Sequence, residues 1–153
     1  MKKWLVLLIA IPLLSFGGFG GEDVGKLAPV QGVLLTQENG LLHILTDSGQ
    51  EGTGTNGTTA VEDLKRTASS KVFLDTAEYL LLDPKTEKWL PQLKEHLRPS
   101  CVVCYVIGPV DLAEAVKYLQ LHQPNVNLAQ YEAGNNELLT LIYNEGRMTL
   151  VRS

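Results

Sequence analysis

The alternation of apolar and polar positions is easiest to read over residues 57–82. Thr59 and Glu62 have the spacing of a capping box, in which each side chain satisfies an unpaired N–H at a helix start. Ala60, Val61, Leu64 and Ala68 then share one helical face, and Glu62, Asp63, Lys65 and Arg66 share the other. After Ser69 and Ser70, the apolar runs 72–74 and 79–82 read as core strand. Upstream, residues 30–37 and 41–47 predict a hairpin around Asn39 and Gly40, both tolerant of the positive φ that a type I′ turn requires. Residues 48–57 read as a polar, mobile Gly/Thr loop.

The downstream half alternates in the same way. Asp83 followed by Pro84 marks a helix start, with Pro at the first helical position, where its missing N–H costs little. That helix turns Leu90, Leu93 and Leu97 inward, and Pro91 kinks or restarts it. Residues 101–107, CVVCYVI, form a continuous apolar run suited to a central strand covered on both faces. Asp111 and Glu114 repeat the capping spacing ahead of a stripe of Leu112, Ala115, Val116 and Leu119, and Pro124 closes that helix. Residues 125–136 read as irregular. Residues 138–143 and 147–151 form a last hairpin around Asn144, Glu145 and Gly146, a three-residue loop with Gly at the bulge. The order ββ-α-β-α-β-α-ββ predicts an α/β (α+β) fold, a mixed sheet with helices packed on it, in one domain over residues 30–153.

Composition adds an address. The chain has 153 residues, 44% hydrophobic and 20% charged, enough for a core and too ordered in pattern for a disordered segment. Its net charge of −4, with no cluster of Lys or Arg among aromatics, argues against nucleic-acid binding. Lys2 and Lys3 precede an apolar run over residues 4–16, and small residues (Ser15 and Gly17, or Gly18 and Gly20) follow at cleavage spacing. Residues 1–20 therefore read as a signal peptide or membrane anchor, and residues 21–29 as a linker. No Cys follows the apolar run to accept a lipid.

Candidate chemistry is sparse. Gly52, Gly54 and Gly57 match G-x-G-x-x-G ahead of a helix. The dinucleotide motif follows its strand directly inside a βαβ unit, whereas here a tight hairpin and residues 48–51 come first, so the expectation is a loop with no nucleotide. Cys101 and Cys104 form C-x-x-C within an apparent strand. Three strand residues span about 10 Å and end on opposite faces, beyond the roughly 7 Å a disulfide allows. Two buried thiols are expected, with thiol redox the least favoured reading. His43, His96 and His122 are scattered. Asp75, Glu78 and Asp83 bracket a strand and read as a solvated edge before they read as a cation site. No catalytic residue, cofactor or metal ligand is assigned.

Residues 57–82 also carry a family likeness. Gly57, Thr59, Val61, Leu64, Lys71, Val72, Phe73, Leu80, Leu81 and Leu82 fall on the Gly-x-Thr, apolar, basic-apolar-Phe and apolar-strand positions of spore germination receptor C subunits (the GerAC type), which this stretch resembles. The Leu27-Ala28-Pro29-Val30 lead-in, the hairpin, the Pro-started helix, the apolar strand and the helix from Asp111 extend the likeness over about residues 27–121. It covers only the family's N-terminal domain. The lipidated Cys and the larger downstream part have no counterpart here, and Thr76 stands where the family often has His. The resemblance implies a non-enzymatic, extracytoplasmic, membrane-associated module of a spore-forming bacterium. Its partners would be membrane proteins or subunits of a membrane complex, with residues 48–57 and the corner Asp75, Thr76, Ala77, Glu78 as contact surfaces. The alternatives are a secreted ligand-binding domain of unrelated function and, last, a thiol-redox protein using Cys101 and Cys104.

Overall fold

The computed structural model describes residues 27–135 and 137–152, so the targeting segment expected at residues 1–20 lies outside the described residues. The strands are β1 (Leu27–Pro29), β2 (Gly32–Glu38), β3 (Leu41–Thr46), β4 (Glu51–Gly54), β5 (Lys71–Phe73), β6 (Tyr79–Leu82), β7 (Val102–Ile107), β8 (Leu139–Asn144) and β9 (Arg147–Arg152). Among the described residues the α-helices are α1 (Gly57–Thr67), α2 (Leu90–Leu93), α3 (Leu112–His122) and α4 (Leu128–Glu132). Seven strands form one mixed sheet in the order β4-β3-β2-β6-β7-β8-β9. The inner four, β2, β6, β7 and β8, run parallel, and an antiparallel flank closes each side. β1 and β5 make a separate parallel pair, so the end of the expected linker is strand.

Local chemistry accounts for most of these elements. Asn39 and Gly40 both take positive φ (51° and 79°), the type I′ hairpin expected between β2 and β3. Asp83 caps the turn Pro84–Trp89 by accepting from the Lys85 N–H, and Pro91 divides the crossover into short 3₁₀ and α segments. Asp111 caps α3, whose Leu112, Ala115, Val116 and Leu119 are buried.

Four details differ from the sequence reading. Asn56, not Thr59, is the N-cap of α1: its Oδ1 accepts from the Thr59 N–H at 2.9 Å and Thr59 Oγ1 accepts from the Asn56 N–H at 3.2 Å. Residues 48–57 are not a free loop, because residues 51–54 pair with β3 as β4. Residues 125–136 contain α4, capped reciprocally by Asn127 and Gln130. The last hairpin has a two-residue loop, Glu145 (φ 49°) and Gly146 (φ 78°), since Asn144 pairs directly with Arg147.

The sheet buries both faces. On the front, α1, α2 and α4 cover Val33, Leu35, Leu42, Ile44, Leu80, Leu82 and Val103. On the back, α3 is the one helix among the described residues that covers Leu34, Leu81, Cys104, Val106 and Leu141. This explains why β6 and β7 read as unbroken apolar runs: they are central and covered twice.

Candidate functional site

The glycine motif resolves into packing. Gly52 and Gly54 lie in β4 facing α1. A Cβ at Gly52 would sit 2.5 Å from the Ala60 carbonyl oxygen and the Leu64 nitrogen, and one at Gly54 would collide with the Ala60 nitrogen and Thr59. The helix therefore rests directly on the strand backbone. The start of α1, where a phosphate would bind in the dinucleotide motif, is filled from within: Gln92 Oε1 accepts from the N–H of Gly57 at 2.6 Å and of Thr58 at 3.3 Å, and Asn56 takes the Thr59 N–H.

The same helix closes the β4 edge. Asp63 Oδ2 accepts from the Thr53 N–H at 2.8 Å, and the Thr67 hydroxyl donates to the Glu51 carbonyl at 3.1 Å. The Thr53 N–H, and after it Arg66, holds the Asp63 carboxyl below its usual range. At the other end of the sheet, β9 has no such cover among the described residues. Among the described residues no side chain hydrogen-bonds its backbone.

Cys101 and Cys104 are both buried and unbridged. Cys101, the residue just before β7, belongs to the front core and Cys104, within β7, to the back, so the two thiols are opposed as expected. Burial pushes each thiol up to about 12, so neither is a ready nucleophile. His43 Nδ1 pairs with Glu51 at 3.0 Å, and His122 stacks on Tyr118. In the acidic corner Thr76 Oγ1 bonds the backbone of Val30 and Phe73, Ala77 is fully buried, and Glu78 reaches Arg98 at 3.8 Å. Among the described residues no group of His, Cys, Asp and Glu gathers in a metal-binding arrangement.

One polar cluster was not visible in the sequence. Glu87, in the crossover after β6, accepts from the Tyr105 hydroxyl of β7 at 2.8 Å and from the Tyr131 hydroxyl of α4. Burial first, and then the bond to Glu87, raises both phenols, Tyr131 to about 12. A cavity of about 390 Å³ lies alongside, lined by Glu87, Lys88, Leu90, Pro91, Lys94, Tyr131 and Glu132. Lys94 and Glu132 form an ion pair across it at 3.2 Å. The three residues of the tie come from different elements, 18 and 44 positions apart, and no local period links them.

No family model, no curated protein and no solved structure matches the chain.

Proposed function

We propose that the chain is an exported, membrane-associated accessory or assembly module that works through protein contacts, related to the N-terminal domain of spore germination receptor C subunits. The observation that carries the contact reading is the asymmetry of the sheet: α1 bonds the outer groups of β4, while among the described residues no side chain bonds those of β9. An open edge of this length is a template for another strand. Export rests on Lys2, Lys3 and the apolar run behind them. The glycines and cysteines that suggested chemistry serve packing instead.

Membrane fractionation of sporulating cells, followed by cross-linking on intact cells, tests this reading. It expects the chain in the membrane fraction, joined to a membrane subunit. Recovery of the chain free in the cytosol would overturn it. A second reading, a secreted ligand-binding domain, is favoured by the 390 Å³ cavity with its convergent Glu87 and Tyr131. Retention of a small ligand by the purified protein, lost in Glu87→Gln and Tyr131→Phe, would select it.

A further inference from the structure

The bare edge has a defined geometry. In a hairpin with a two-residue loop, the residues flanking the loop exchange both backbone bonds, and every second pair does so after them. Asn144 and Arg147 are that flanking pair. Thr149 and Val151 therefore bond to β8, and Met148, Leu150 and Arg152 turn their N–H and C=O groups outward. The front of the sheet here lies beyond the helices. Ile107, Ile142 and Thr149 form a row across β7, β8 and β9, with Ile107 53% exposed.

Charge selects the occupant. Arg147 and Arg152 stand at the two ends of β9, both exposed, and neither has an ion-pair partner among the described residues. A second copy paired antiparallel through the outward residues would set Arg152 opposite Met148, and its strand, RMTLVR, offers neither arginine an acidic partner. A strand with acidic residues at its ends would meet both. The geometry points to β9 as a strand-addition site for an extended segment of a partner protein that carries acidic residues at both ends of the paired stretch. Main-chain bonds to Met148, Leu150 and Arg152 supply the pairing, and the partner's side chains lie beside Thr149 on the front face and Met148 and Leu150 on the back. This deepens the contact reading above and rests on it.

The test uses the full chain and two synthetic peptides of alternating threonine and valine, one flanked by glutamates and one by lysines. Binding is measured by fluorescence anisotropy, and amide exchange by NMR. The glutamate-flanked peptide should bind and slow exchange at Met148, Leu150 and Arg152 at least about tenfold, leaving Thr149 and Val151 unchanged. The paired substitution Arg147→Glu/Arg152→Glu should invert the preference, shifting each affinity about tenfold. Equal binding of both peptides, or protection elsewhere, would overturn the proposal. Concentration-dependent protection of the same amides without peptide would overturn it too, assigning the edge to a second copy. The two readings fail separately. A membrane partner found by cross-linking with β9 amides unchanged removes the strand-addition site and leaves the module. Peptide pairing by a chain that fractionates with the cytosol removes the membrane role and leaves the site.

Discussion

The two edges of the sheet differ in what stands beside them. β4 is short, rich in glycine and threonine, and pressed against α1 so closely that a Cβ has no room at Gly52 or Gly54. Helix side chains bond two of its outward backbone groups. β9 is longer, carries Met148, Leu150 and Val151, and ends in exposed arginines. Its outward groups meet no side chain among the described residues. Natural sheets that must not aggregate blunt their edges by shortening, covering or charging them. Among the described residues, one edge is covered and the other is only charged. A covered edge cannot accept a strand, whereas a charged edge accepts a strand of complementary charge.

The largest effect should come from breaking the closed edge. Gly54→Val forces a side chain into the backbone of α1 and should cost about 3 kcal/mol in chemical denaturation, the upper range of overpacking. Next is the centre that both halves share. Tyr131→Phe removes one bond to Glu87 and should cost about 1 kcal/mol. The thiols offer a pH test at the same place. Burial raises Cys101 and Cys104 from 9.0 to about 12, so the protonated form is favoured in the fold. Their contribution is complete below pH 9 and is lost as pH rises from there towards 12, and a thiol reagent at neutral pH should modify them only after unfolding.

Asp63 gives the opposite slope. Its folded value lies below the ordinary 3.8, so its stabilisation is present above that pH and disappears as pH falls through the folded value. Asp63→Asn should be less stable than the parent at neutral pH and equal to it in strong acid, as measured by denaturation across pH. Smallest of all, Thr149→Val on the open edge should change stability by no more than about 0.5 kcal/mol. A large loss there would mean that β9 is already engaged.

The sequence carried the central elements because burial on two faces leaves an unbroken apolar run, as in β7, and because Asp111 and the stripe behind it mark α3 without ambiguity. The edge was misread for a physical reason. Glycine and threonine in residues 51–54 look like loop chemistry, but the glycines are there because a helix lies on the strand. The C-x-x-C was legible, since strand geometry alone places the two sulfurs on opposite faces. The Glu87 tie was not legible, because it joins a crossover, a strand and a helix that meet only in three dimensions. The contrast between the edges was equally hidden: Asp63 reads as a polar-face residue of the helix until β4 lies beside it.

The central claim is that one edge is closed and the other open, and residue-resolved amide exchange in the free protein tests it most directly. The account predicts slow exchange at Thr53, and along β9 an alternation with Thr149 and Val151 slow and Met148, Leu150 and Arg152 fast. Uniform protection along β9, or fast exchange at Thr53, would contradict it.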